Sequence, residues 1–87
     1  MKVTLNDGFE VSIDEKHLND WNMLKMLRDI DKGEAALVVD VAEILLGGEE
    51  QVDKLAKHLE VDGVTTINSM VEAMREIMES ATELKNS

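Results

Sequence analysis

The stretch TINSMVEAMREIMESATELK, residues 66–85, contains the clearest helical pattern in the chain. Its apolar residues recur at the i, i+3, i+4 spacing of one helix face: Ile67, Met70, Val71, Met74, Ile77, Met78, Ala81 and Leu84. Thr66 precedes the pattern and is suited to cap the helix, because its hydroxyl can accept from an unpaired amide in the first turn. An isolated helix is only marginally stable in water, so this stripe must pack against the rest of the chain or against a partner.

The composition of the chain excludes several classes of protein. The chain has 87 residues, a net charge of −10, 44% hydrophobic residues and no cysteine. This length suits a single domain, residues 1–87, and the hydrophobic fraction argues against disorder. The negative charge excludes nucleic acid as a natural partner and disfavours anionic membranes. The longest apolar run, Ala35–Val39, is far shorter than the ~20 residues that span a bilayer.

Residues 1–13 alternate between apolar and polar side chains, which predicts a β-hairpin with its turn at residues 6–8. A three-residue loop brings every apolar residue to one face, whereas a two-residue loop would mix the faces. Gly8 would then take the left-handed position of the bulge that follows such a turn. The expected pairs are Leu5 with Phe9, Val3 with Val11, and Met1 with Ile13.

Residues 14–87 predict a small helical bundle. After a short turn at 15–19, helices are expected at 21–32, 34–46, 49–60 and 66–85, with Asp20 capping the first and Gly47-Gly48 ending the second. The first helix has its apolar stripe at Trp21, Leu24, Leu27 and Ile30, flanked by Met23 and Met26. The predicted fold class is therefore mainly α (α+β), with an N-terminal hairpin packed on about four helices.

The sequence offers no pattern typical of an enzyme or of a cofactor site. His17 and His58 lie in different segments, and neither has a second ligand one helical turn away, so no metal site is expected. Asn68-Ser69-Met70 is similar to the attachment site of acyl carrier proteins. In that family, however, the serine opens a helix in mid-chain, with Asp before it, and more helices follow. We therefore expect no catalytic residue, no cofactor and no metal.

Several segments occur together in a recognisable order. They are Asp20-Trp21-Asn22-Met23-Leu24, then Ile44-Leu45-Leu46-Gly47-Gly48-Glu49-Glu50-Gln51, then Leu55 with Leu59, Asp62-Gly63-Val64, and the terminal Lys85-Asn86-Ser87. With the N-terminal hairpin, this order resembles the small tail assembly chaperones of long-tailed phages and prophages of Gram-positive bacteria. The resemblance covers nearly the whole chain, and Gly48, an additional residue in the Leu-Leu-Gly turn, departs from it.

The resemblance implies a function and a location. Such proteins coat the hydrophobic, helical tape measure protein before tail-tube subunits polymerise, and they act in the host bacterial cytoplasm and are absent from the mature virion. Many also have a longer frameshifted form that recruits the tail-tube protein. Lys85-Asn86 can be encoded as A-AAA-AAC, a run on which a ribosome could slip, and an ordinary polar C-terminus is the alternative. The nucleotide sequence distinguishes the two.

The apolar side chains that a chaperone would use include unbranched, polarizable methionines, which adapt to irregular partners. The alternative for each methionine is that it fills the core. We predict self-association by the hairpin and the last helix, and contact with the tape measure protein, through Trp21, Met23, Met26, Met70, Met74, Ile77, Met78, Ala81 and Leu84. The net charge alone supports a second hypothesis, a small acidic adaptor or an inhibitor that mimics nucleic acid.

Overall fold

The computed structural model describes residues 1–86, with side chains for residues 1–84. A two-stranded antiparallel hairpin precedes a 3₁₀ turn and four helices, which confirms the predicted fold class. Ser87 of the terminal segment Lys85–Ser87 lies outside the described residues, as do the Lys85 and Asn86 side chains. The elements are β1 (Lys2–Thr4), β2 (Glu10–Ser12), the 3₁₀ turn (Glu15–Asn19), α1 (Trp21–Asp31), α2 (Leu37–Leu46), α3 (Glu49–Leu59) and α4 (Ile67–Asn86).

The hairpin has the predicted register. Val3 lies opposite Val11, and the Leu5 amide donates to the Phe9 carbonyl at 2.8 Å. Gly8 has φ +92°, and its amide donates to the Leu5 carbonyl at 2.9 Å, which closes the three-residue loop. The apolar residues share one face, which is buried against the helices: Val3, Leu5, Val11 and Ile13.

Two predicted helix caps are present. The Asp20 carboxylate accepts from the Asn22 amide at 2.9 Å at the start of α1. The Thr66 hydroxyl accepts from the Ser69 amide at 3.1 Å at the start of α4. Each cap satisfies a first-turn N–H that has no partner within the helix, so the sequence located both helix starts from local chemistry alone.

The start of α2 differs from the prediction. The helix was expected to begin at Glu34, but it begins at Leu37. Residues 34–36 form a turn, in which the amides of Leu37 and Val38 donate to the carbonyls of Glu34 and Ala35, three residues back. This tighter hydrogen-bonding pattern is common at the ends of α-helices, and apolar spacing does not distinguish it from a full helical turn.

The orientation of α1 also differs from the predicted stripe. Met23 is 2% exposed and is the most buried side chain of this helix, whereas Trp21 is 72% exposed and Leu24 is 57% exposed. Leu27 and Ile30 are partly buried. The helix is thus rotated so that Met23, rather than Trp21, packs into the core, because neighbouring elements determine which of its apolar sides they cover.

One core joins all the elements. Helix α4 packs against β1, the 3₁₀ turn, α2 and α3, while α1 packs against α2, and α2 against α3. Within the described residues every buried side chain is apolar. Helix α4 contributes Ala73, Met74, Ile77 and Ala81 to this core, against which the hairpin, α2 and α3 pack.

Candidate binding surface

The nine residues predicted to face partners fall into three groups. Four are buried in the subunit: Met23, Met74, Ile77 and Ala81. Three are partly buried against the core: Met26, Met70 and Met78. Trp21 and Leu84 are exposed. In this fold, a partner can therefore reach only a part of the predicted set, and the assignment of these residues to an interface stays a prediction.

A first opening, here called the α1–α4 cleft, lies between α1, α2 and α4. Its volume is about 220 Å³, and its apolar lining comprises Leu27, Ile30, Val38, Val41, Val71, Met74 and Met78. The polar residues that line it are Asp31, Arg75 and Glu79. It forms because α1 packs on α2 but leaves a gap beside α4. The predicted stripe of α4 is therefore divided, with one side in the core and the other side on this cleft.

A second opening, here called the α2–α4 cleft, lies where the chain enters α2 and α4. Its volume is about 340 Å³, and it is lined by Ala35, Ala36, Val38, Val39, Val52, Thr65, Thr66, Ile67 and Met70. No charged side chain is in this lining. Val39 is 54% exposed and Ile67 is 66% exposed, so apolar surface is open to solvent here. Val38 lines both clefts, so the two are adjacent.

The sequence analysis did not identify Val39 as a binding residue. It did contain a signal, because residues 35–39 form an apolar run that is wider than one face of a helix. In such a run, some side chains must point away from the core. The packing direction of α2 decides which of these side chains is exposed. The spacing of the apolar residues did not predict that direction.

The hairpin turn is attached to the helices by polar contacts. The His58 Nε2 atom of α3 lies 2.6 Å from an Asp7 carboxylate oxygen, and the His58 ring stacks on Phe9 with 4.1 Å between ring centres. The Asn6 amide donates to the Glu76 carboxylate of α4. The pKa of Asp7 lies below its ordinary value of 3.8, mainly because of the hydrogen bond with His58 and then because the Phe9 amide donates to it.

These contacts give His58 a structural role, because its side chain connects α3 to the hairpin turn. The other histidine, His17, lies 3.3 Å from an Asp20 carboxylate oxygen, next to the cap of α1. Within residues 1–86, no group of three or more His, Cys, Asp or Glu side chains is placed to hold a metal ion. Ser69 is engaged in the first turn of α4, where its hydroxyl donates to the Thr66 carbonyl at 2.9 Å.

The comparisons with known proteins contribute no relative. No family model, no curated protein and no solved structure matches this chain. In the described part of the chain, none of the helices combines the length and the apolar composition needed to cross a membrane.

Proposed function

We propose that this protein is a non-enzymatic phage tail assembly chaperone, which self-associates and coats the helical, hydrophobic tape measure protein before the tail tube polymerises. It would act in the cytoplasm of the host bacterium and be absent from the finished virion. The sequence resemblance suggests the class. The observation that supports it in the molecule is the uncharged α2–α4 cleft, with Val39 and Ile67 exposed at its surface.

This cleft has the properties of a groove for an apolar helix. Helix-in-groove recognition uses apolar anchors at i, i+3, i+4 and i+7 on the bound helix, and it needs an open apolar channel on the receptor. Met70 lies in the lining and gives it an adaptable side chain, which suits a client with many non-identical segments. The net charge of the chain, −10, would keep coated complexes from aggregating.

The test is to co-express the chain with segments of the tape measure protein of the same phage or prophage. We expect the client to be soluble and to co-purify with the wild type. Val39→Asp/Ile67→Asp would place two carboxylates in the contact, and burying them costs enough to weaken binding by at least about tenfold. Val61→Asp/Val64→Asp is the matched control, because it also adds two carboxylates, at positions that are 70% and 59% exposed and do not line this cleft.

Two results would contradict the proposal. One is that the Val39→Asp/Ile67→Asp variant retains the client as well as the wild type does. The other is a pull-down from infected cells that recovers a polymerase or a nuclease in place of the tape measure protein, which would favour the acidic inhibitor. A longer frameshifted form and the tail-tube protein would be further partners under the proposal, and they would appear in the same pull-down.

A further inference from the structure

We propose that copies of this chain join head to tail, with the outer face of α1 from one copy seated in the α1–α4 cleft of the next. The inference rests on the proposed function, because it specifies how the subunits of the coat are connected. It uses a different surface from the α2–α4 cleft assigned to the client. In a single subunit, the outer face of α1 leaves apolar side chains exposed, and the α1–α4 cleft is open.

The projecting surface is the outer face of α1. Trp21 and Leu24 are both mainly exposed, although they are among the largest apolar side chains of the chain. At about 100° per residue, Trp21 lies on the opposite side of α1 from Ile30, which faces the core and the α1–α4 cleft. Trp21 cannot turn inward unless Met23 leaves the core. Trp21 and Leu24 therefore form an apolar projection that this subunit cannot cover by itself.

The receiving surface is the α1–α4 cleft. Its volume of about 220 Å³ is smaller than the roughly 300–1,000 Å³ of small-molecule sites, and it suits one or two side chains instead. Met78 and Val71 give it an apolar wall on α4. Tryptophan is one of the residue types enriched at the hot spots of protein interfaces, which lie in well-packed pockets. Because Trp21 and the cleft lie on different sides of α1, Trp21 cannot enter the cleft of its own subunit, and only the cleft of another copy is open to it.

Charge favours a second copy over an unrelated partner. The outer stripe of α1 that holds Trp21 also holds Lys25, Arg28 and Lys32, three of only nine basic residues in the chain. Arg28 is paired with Asp29 of its own helix, with 3.0 Å between Nη2 and Oδ1. Lys25 and Lys32 have no ion-pair partner within the side chains described. An otherwise acidic molecule thus has a basic stripe on the same side of α1 as its exposed tryptophan.

The cleft has the complementary charge. Asp31 and Glu79 line it, and Glu72 lies two helical turns before Glu79 on the same exposed side of α4. Arg75 is the single basic residue of the lining. Oppositely charged patches orient two protein surfaces and increase the rate at which they meet. The basic, aromatic face of α1 and the acid-edged cleft therefore match each other.

The two surfaces differ, so the contact is heterologous. A heterologous contact leaves one unused surface at each end of a dimer, and further copies add until a ring closes or an open coil forms. A coat along a long client needs growth of this kind. A symmetric dimer, in which both copies use the same patch, would stop at two.

The experiment is sedimentation velocity on the purified full-length chain over a range of concentrations, without any client. We expect the wild type to form species larger than a dimer as concentration rises. Trp21→Ala/Leu24→Ala removes the projection and should weaken association by at least about 30-fold, the range of an interface hot spot. The matched control is Val61→Ala/Val64→Ala, two similarly exposed positions outside both surfaces, which should assemble like the wild type.

The cleft is tested by Glu72→Lys/Glu79→Lys, which should also sediment as a monomer. Each change adds two positive charges, so the net charge moves from −10 to −6. Weaker overall repulsion would increase non-specific association, whereas docking predicts a decrease. Adding Lys25→Glu/Lys32→Glu to the same chain returns the net charge to −10 and should restore assembly. Circular dichroism checks that each variant is folded.

A mixture of the two variants tests whether the contact between copies is head to tail. The Trp21→Ala/Leu24→Ala variant retains the cleft, and the Glu72→Lys/Glu79→Lys variant retains the projection, so their equimolar mixture should form a dimer and nothing larger. The inference is overturned if the wild type remains a monomer at high concentration, if either variant assembles like the wild type, or if the mixture stays monomeric or grows beyond a dimer. Because no client is present, none of these results depends on whether the tape measure protein binds.

Discussion

Replacing Met23 by alanine tests the orientation of α1. The apolar stripe of the sequence includes Trp21 and is only flanked by Met23, whereas the structure buries Met23 and exposes Trp21. If that stripe itself were buried, Trp21 would lie inside. The two arrangements give opposite rankings for Met23→Ala and Trp21→Ala. The pair of variants therefore distinguishes them without any structural measurement.

The expected magnitude follows from burial. Met23 is 2% exposed, and truncation of a buried methionine to alanine costs about 2–5 kcal/mol because apolar contacts are lost and a cavity remains. A domain of this size has a total stability of about 4–13 kcal/mol, so the loss is a large fraction of it. For a chain of this length, a loss of 2–3 kcal/mol lowers the midpoint of thermal unfolding by roughly 10–20 °C. Trp21→Ala, at an exposed site, should stay within about 0.5 kcal/mol of the wild type.

The assay is urea unfolding followed by far-ultraviolet circular dichroism, because fluorescence would lose its only tryptophan in one variant. The protein concentration must be low enough for every variant to sediment as a monomer, so that the exposed Trp21 contributes nothing through association. The reasoning is refuted if Trp21→Ala loses more than about 2 kcal/mol while Met23→Ala stays close to the wild type.

Three further predictions use local features, and urea unfolding midpoints measure all of them. Because folding lowers the pKa of Asp7 beneath 3.8, its carboxylate stabilises the fold above that pH and ceases to do so as pH falls through the folded pKa. Asp7→Asn, which weakens the contact with His58, should therefore cost stability at about pH 6 and progressively less towards about pH 3, whereas a constant difference would contradict this. Thr66→Ala removes the acceptor for the Ser69 amide and should cost about 1 kcal/mol, and an unchanged midpoint would show that the cap is unimportant. Gly47→Ala should cost about 1–2 kcal/mol, because φ is +88° there while nothing lies within 4 Å of an added Cβ; a neutral result would mean that the backbone relaxes.

The register of the hairpin was predictable from the local sequence pattern, whereas its contact with α3 was not. Its strands alternate with a period of two, and only one loop length puts Leu5 opposite Phe9 and all the apolar residues on one face. A shift of one residue would reverse every side chain, so a single register satisfies the sequence. The contact between Asp7 and His58 was not predictable, because the two residues are 51 positions apart and nothing local brings them together.

The candidate binding surface was only partly predictable. The stripe of α4 was evident, but its division between the core and the α1–α4 cleft depends on where α1 and α2 stop covering it. Val39 was missed, although the apolar run around it is too wide for one helix face. For Met74 and Met78, the spacing was the same, and the structure alone shows that Met74 is in the core while Met78 is only partly covered.

Local patterns in the sequence were sufficient to predict the number and order of the elements, the hairpin register and the capped starts of α1 and α4. These features depend on contacts between residues close in the chain, which leave a pattern that spacing reveals. The tertiary structure alone decided which side of α1 faces inward and where apolar surface stays open. Helix α1 has apolar side chains on more than one side, so their spacing did not show that Met23 is buried while Trp21, on the side of Lys25 and Arg28, stays exposed. The elements that pack against α1 cover the Met23 side.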